Sequence, residues 1–228
     1  MNSKRTLDRV FHRVAGVGPL LFFALATVEG FLRADYDPVA QPISALALGP
    51  RGWIQEVNFV VLAASFFSFA AVLRSEFRQG VASIAAPAVF AIMTIGVSLA
   101  LSFPMDAPGA APTLIGRLHT VGGFLVFPWM PVALFLAARR FRHDARWRPY
   151  FTYTLATALF CLATIVFFLL FVGPPPAPRP LSRLAGLVQR VQLVPFFAWI
   201  SIIARRAYRE PTAAAAGVAD AGVAIPTG

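Results

Sequence analysis

The hydrophobic residues of this chain fall into six long apolar stretches separated by short polar segments. Each stretch is close to the roughly 20 residues that a helix needs to cross about 30 Å of hydrocarbon. The polar segments are too short to hold a soluble domain. The pattern predicts an all-α integral membrane protein in which residues 1–206 form a bundle of six transmembrane helices. The predicted spans are residues 14–32, 53–73, 84–103, 118–138, 151–173 and 186–204.

Composition and charge then give the bundle an orientation. Hydrophobic residues make up 58% of the 228 residues, and the mean hydropathy is +0.70, well above that of a soluble domain. The net charge of +10 indicates sidedness rather than nucleic-acid binding, because Lys and Arg mark the cytoplasmic side of a membrane protein. Most basic residues lie at the ends of the spans that share a side with both termini. The smaller group at the opposite ends is Arg33, Arg51, Arg117, Arg179 and Arg183.

From this distribution we expect a plasma-membrane protein with both termini in the cytoplasm and with the lipid bilayer as its partner. The arginine-rich loop between spans four and five can lie on anionic headgroups. Residues 207–228 are rich in Ala, Gly, Pro and Thr, which predicts a disordered cytoplasmic tail.

Prolines shape the segments around the spans. The first outer loop contains Pro38, Pro42 and Pro50, so a regular helix cannot run through it. After Pro42, residues 43–48 are predicted to form a short interfacial helix or a re-entrant turn. Span four contains Pro128 and Pro131, which predict a kink there.

Polar side chains from separate spans and loops fall at one level, near the outer ends of the spans. At about 1.5 Å per residue they all lie within about 10 Å of the outer surface. We expect this layer to bind a lipid headgroup or a small solute, and Arg190 to form an ion pair with Glu29 or Glu56. The layer consists of Glu29, Gln41, Ser44, Glu56, Asn58, Asp106, His119, Gln189 and Arg190.

Two alternatives stay open. Ser44, His119 and Asp106 are the residue types of a hydrolytic triad, so the protein could be a membrane-embedded hydrolase that acts on lipid. The polar layer could instead fix helix registry in a structural or accessory subunit without a ligand. No metal and no cofactor are expected, because Cys161 is the sole cysteine and His119 the sole histidine in the outer layer.

Short motifs at the outer ends of the spans carry a resemblance to a known family. They are the segment from Asp35 to Leu46, the tetrapeptide from Phe103 to Asp106, His119, and the segment from Gly186 to Arg190. In this order they resemble the bacterial membrane family called domain of unknown function 998, over about residues 10–206. The resemblance implies a six-span protein of the bacterial inner membrane and assigns no activity.

Overall fold

The computed structural model describes residues 2–173 and 179–209, and these residues contain helices and no strand. Six segments of the described chain are long and apolar enough to cross a membrane, as the sequence predicts. The fourth is built from two helices in series. The α-helices are α1 (Asn2–Leu32), α2 (Gly52–Glu76), α3 (Ala82–Ser102), α4 (Leu114–Phe124), α5 (Trp129–Arg142), α6 (Phe151–Phe167) and α7 (Ala185–Arg209).

The helices extend beyond the apolar runs into their polar flanks, because backbone hydrogen bonding does not stop where the hydrocarbon stops. The first membrane-crossing segment is Thr6–Leu32 and the last is Ser182–Arg209. The last helix, α7, runs to Arg209 and so includes residues 207–209, where the disordered tail is predicted to begin. Arg206 and Arg209 in its last turn favour the helical end through the helix dipole. The rest of the predicted tail, residues 210–228, lies outside the described residues.

Two faces of the bundle are distinguished below. The terminal face is the end at which α1 begins and α7 ends, together with the segments 77–81 and 143–147. The loop face is the opposite end, with the segments 33–51, 103–113 and the described parts of 173–184.

An aromatic cluster forms the core. Phe66 is fully buried and contacts the rings of Phe90, Phe196 and Phe197. Rings at such distances attract each other through their quadrupoles in addition to burying apolar area. The cluster joins α2, α3 and α7. The indole N–H of Trp199, also fully buried, donates to Thr154 Oγ at 2.9 Å and ties α7 to α6.

The predicted kink in span four is confirmed as a break between α4 and α5. The chain turns over residues 125–128, and Pro128 precedes the first residue of α5. Next to the break, α4 crosses α3 at very short range. A Cβ atom added to Gly122 would lie 2.6 Å from the carbonyl oxygen of Gly96. Glycine is required on both sides of this crossing.

The segment between α1 and α2 folds back into the loop face. Its central part is a 3-10 helix, Ile43–Ala47, in which Ile43, Ala45 and Leu46 are buried. This helix packs against α1, α2 and α7, so the short helix predicted after Pro42 forms and lies against the bundle. It carries Ser44 into the bundle.

Candidate functional site

A cavity of about 70 Å³ lies between the helices near the loop face. Three polar side chains line it: Ser44 from the 3-10 helix, His119 from the second turn of α4 and Gln189 from the second turn of α7. The other lining residues are glycine or apolar. They are Phe22, Phe59, Leu62, Phe66, Gly96, Val97, Ala100, Gly122, Gly123, Val126, Phe127, Met130 and Leu193.

Ser44 and Gln189 hold the re-entrant segment at the cavity. The Ser44 hydroxyl donates to the thioether sulfur of Met105 at 3.4 Å. Sulfur is a weak acceptor, so this bond stabilises the hydroxyl little. The side-chain oxygen of Gln189 accepts from the backbone N–H of Ile43 at 2.7 Å, which fixes the start of the 3-10 helix to α7.

His119 is oriented by a backbone carbonyl. Its Nδ1 lies 2.8 Å from the carbonyl oxygen of Phe103, at the end of α3. A carbonyl only accepts, so Nδ1 carries the proton in the neutral ring and Nε2 is an acceptor. The ring is thereby held in one tautomer.

Asp106 stabilises the start of α4 through its N-cap residue, Thr113. Its carboxylate accepts from Thr113 Oγ at 2.6 Å and from Thr113 N–H at 3.1 Å. The Thr113 oxygen in turn accepts from the N–H of Gly116, which caps the helix. The hydrogen bonds from Thr113 hold the pKa of Asp106 below its usual value, so this group is ionised at neutral pH.

The three candidate catalytic residues therefore do not form a hydrogen-bonded relay in this structure. A triad needs the carboxylate on Nδ1 of the histidine. Here Phe103 occupies Nδ1 of His119, while Thr113 bonds the carboxylate of Asp106. Ser44 and His119 both line the cavity, whereas the Asp106 carboxylate bonds to Thr113 at the cap of α4.

The expected ion pair of Arg190 with Glu29 or Glu56 is wrong. Nη1 of Arg190 donates to the carbonyl oxygens of Pro38 at 2.8 Å and Gly186 at 3.2 Å, and Nη2 donates to the Tyr36 hydroxyl at 2.7 Å. The guanidinium also lies over the Tyr36 ring, 5.6 Å from its centroid. Its several N–H donors match the acceptors of the folded loop, which lie nearer than either carboxylate.

Both glutamates are placed elsewhere. Glu29, only 5% exposed, accepts two hydrogen bonds from Arg51 at 2.7 and 2.8 Å. This bidentate pair neutralises the buried carboxylate and joins the end of α1 to the start of α2. Glu56 is exposed on α2.

The loop segment 36–43, which we call the clasp, is fastened to the start of α7. Besides the bonds from Arg190 and Gln189, the N–H of Leu187 donates to the carbonyl oxygen of Val39 at 3.0 Å. Gln41 braces the clasp internally, since its side-chain oxygen accepts from Asp37 N–H at 3.0 Å. A Cβ atom at Gly186 would lie 2.2 Å from the Gln41 carbonyl oxygen, so close docking needs glycine there.

Asn58 lies in the core, outside the cavity lining. It is 1% exposed and donates to the Phe22 carbonyl oxygen at 3.0 Å and to the Gln55 side chain at 3.2 Å. At about 100° per residue, the spacing of Gln55, Asn58, Ser65 and Ser68 puts them on one side of α2, and all four are buried. Asn58 fastens α2 to α1.

The structure thus divides the predicted polar layer into parts. Ser44, His119 and Gln189 surround one cavity, whereas Gln41 and Arg190 hold the clasp beside it. Sequence reasoning missed Tyr36 and Arg51, the partners of Arg190 and Glu29. A signal for Arg51 was present, since a lone arginine directly before span two stands at the level of Glu29.

Comparison with known proteins places the chain in a family. A family model described as "Protein of unknown function (DUF998)" matches residues 16–206. The chain belongs to this family. The match covers the helical bundle apart from the beginning of α1 and the end of α7. No curated protein and no solved structure matches the chain in the two other comparisons. The family description assigns no activity, so the function is argued from the cavity.

Proposed function

We propose that the cavity binds one end of a lipid-type molecule from the membrane leaflet at the loop face. The observation that carries the proposal is the uneven lining of the cavity. Its polar groups, Ser44, His119 and Gln189, come from residues near the loop face, whereas Leu62 and Phe66 lie deeper along α2. Such a lining suits an amphipathic ligand whose polar group stays at the membrane boundary.

The chemistry of the lining favours a neutral polar group on that ligand. No carboxylate and no guanidinium is among the cavity-lining residues of the described chain. An ion placed there would lose its hydration without gaining a counter-charge. A hydroxyl, an ester carbonyl or an amide could bond to Ser44, His119 or Gln189. A fatty alcohol or an acylglycerol fits better than a charged solute.

The arginine distribution predicts that the loop face lies toward the outer leaflet, so the ligand would be an outer-leaflet lipid. The volume of about 70 Å³ admits a polar group and a few methylene groups, and not a whole lipid. The rest of the ligand would lie along the exposed apolar sides of the helices.

A photoreactive fatty alcohol with a diazirine near the hydroxyl would test the proposal on protein purified in detergent. Irradiation followed by peptide mass spectrometry should place the label on residues around the cavity, such as Val97 and Val126. Val126→Phe fills the cavity, and we expect about tenfold less labelling, which corresponds to about 1.4 kcal/mol of lost affinity.

The matched control is Val121→Phe. Val121 is 46% exposed on α4 and does not line the cavity, so this variant should label like the wild type. Ala100→Leu is a second filling variant, and size-exclusion chromatography reports whether each variant is folded. Equal labelling of wild type, Val126→Phe and Ala100→Leu would contradict the proposal. If an alkyl phosphate prevented labelling by the probe better than an unlabelled fatty alcohol did, the proposal of a neutral polar group on the ligand would be contradicted.

A further inference from the structure

The terminal face carries a second set of organised charged groups, around the loop between α5 and α6. Arg146 in this loop bonds through Nη1 to the carboxylate of Glu76, at the end of α2. Arg140 on the last turns of α5 bonds to Asp144 at 2.8 Å. The two carboxylates are thus already paired. We call these four residues together with Trp147 the arginine cluster.

Aromatic rings hold the arginine cluster in one geometry. Trp147 is 1% exposed and stacks on Phe141 with ring centroids 5.0 Å apart. The guanidinium of Arg146 lies 4.8 Å from the Trp147 ring centroid, and that of Arg140 lies 5.9 Å from Phe77. Cation–π contacts of this kind fix the direction of the remaining N–H groups. The loop is therefore preorganised.

The arginine cluster has more donors than acceptors. Nε of Arg140 and both Nε and Nη2 of Arg146 are buried, and they have no acceptor in the described part of the chain. Buried donors in native proteins normally have a partner. The cationic N–H groups point to an oxyanion, with the water it carries, as the missing acceptor.

Exposed arginines surround the cluster. Arg139, Arg142 and Arg148 are exposed. The nearby acids Glu76 and Asp144 already form ion pairs within the cluster. Arg142 ends the fourth membrane-crossing segment and Arg148 begins the fifth. In a bilayer crossed by these segments, all three arginines would lie near the depth of the lipid headgroups.

We propose that the arginine cluster, with Arg142 and Arg148, binds the phosphate of an anionic phospholipid in the leaflet at the terminal face. Arginine suits phosphate because its planar N–H groups can bond two phosphate oxygens at once. A lipid is favoured over a soluble acidic partner, because the short loop lies between two membrane-crossing segments at headgroup depth. This site is separate from the cavity at the loop face.

The experiment uses the full chain in nanodiscs of phosphatidylcholine, with or without phosphatidylglycerol. Native mass spectrometry counts the phosphatidylglycerol molecules retained after release from the disc, and a thermal melt gives Tm in each lipid. For Arg142→Gln/Arg148→Gln we expect phosphatidylglycerol retention to fall about fivefold for each arginine removed. In the described part of the chain neither side chain forms a hydrogen bond or an ion pair, so Tm in pure phosphatidylcholine should not change.

Two further variants sharpen the result. Arg117→Gln/Arg183→Gln removes the same charge from exposed positions of the loop face and should retain phosphatidylglycerol like the wild type. Arg140→Lys keeps a cation beside Asp144 but removes Nε, and retention should fall several-fold. Equal losses in the two double variants would overturn the proposal. A wild-type Tm raised as much by inorganic phosphate as by phosphatidylglycerol would also overturn it, because the ligand would then be free phosphate.

Discussion

Arg190 shows how a partly buried permanent charge can be stabilised without a carboxylate. Its guanidinium is surrounded by backbone carbonyls of the clasp, by Gly186 and by the Tyr36 hydroxyl. Tyr36 is 7% exposed, and this burial raises the pKa of its hydroxyl, which therefore stays neutral beside the arginine. The charge of Arg190 is spread over several oxygen dipoles, and the same bonds fix the loop above the cavity.

Replacing Arg190 should release the clasp. Hydrogen bonds to a charged group contribute about 1.5–3 kcal/mol, so Arg190→Gln is expected to lower protection of the clasp amides by at least about tenfold. Hydrogen exchange at Gln41 and Leu187, whose N–H groups are bonded in the clasp, is the measurement. Arg190→Lys keeps the charge and should restore only part of the protection, because lysine cannot bond several separated oxygens in a plane.

Arg183→Gln is the control for Arg190, since Arg183 is exposed on the loop face. If hydrogen exchange of the clasp amides were unchanged in Arg190→Gln, the clasp would be held without the Arg190 guanidinium. Exchange that also rises in the Arg183 variant would indicate a general effect of charge.

Sequence reasoning reached some of these residues and missed others for an identifiable reason. Depth along a helix follows from residue number, and Ser44, His119 and Gln189, which are predicted to lie at one level, line the same cavity. Rotation about the helix axis and the path of the loop decide which neighbours touch. Arg51 comes within 2.7 Å of Glu29 because the loop returns at the end of α1, and no periodicity encodes that return.

At the scale of elements, the crossing of α3 and α4 shapes one wall of the cavity. Gly96 and Gly122 face each other there, and both line the cavity. Small residues let membrane helices approach closely, where van der Waals packing contributes most to their association. Pro128 and Pro131 predict the break in span four, but the sequence does not distinguish Gly122 from its neighbour Gly123.

These two adjacent glycines give a matched pair of variants. A Cβ atom at Gly122 would lie 2.6 Å from a backbone oxygen of α3, whereas one at Gly123 would meet only the Phe127 ring at 4.0 Å. Gly122→Ala should therefore lower the free energy of unfolding by about 1–3 kcal/mol. Gly123→Ala should leave it unchanged or raise it by up to about 1 kcal/mol, because alanine favours helix.

Denaturant titration in detergent micelles measures both glycine variants, with helical circular dichroism as the signal. A loss of stability in Gly123→Ala as large as that in Gly122→Ala would contradict the close crossing. It would point instead to a general requirement for flexibility in α4.

For the whole molecule, charge is distributed unequally over the two faces of the bundle. The terminal face carries the arginine cluster and several exposed arginines, whereas on the loop face Glu29 pairs with Arg51 and Asp35 with Arg33. The Arg33 side chain, through its hydrogen bond, holds the pKa of Asp35 below its usual value. By the positive-inside rule this asymmetry predicts cytoplasmic termini.

Cysteine labelling of intact cells would test the orientation. Cys161 is buried and is the only cysteine, so Cys161→Ala gives a background without thiols. Ala110→Cys on the loop face should react with a membrane-impermeant maleimide in intact cells. Gln79→Cys on the terminal face should react only after lysis. Both positions are exposed, and the reverse pattern would show the opposite orientation.

Six spans, the break in span four and the interior side of α2 can all be predicted from the sequence. Each follows from local rules: the length of an apolar run, the missing N–H of proline, and the rise and rotation of a helix. The packing of the folded chain decides that Arg190 holds a loop, that Asp106 bonds to Thr113 at the cap of α4, and that a cavity lies among Ser44, His119 and Gln189. These depend on contacts between segments far apart in the chain, which are set by the packing of whole helices and by the path of the clasp.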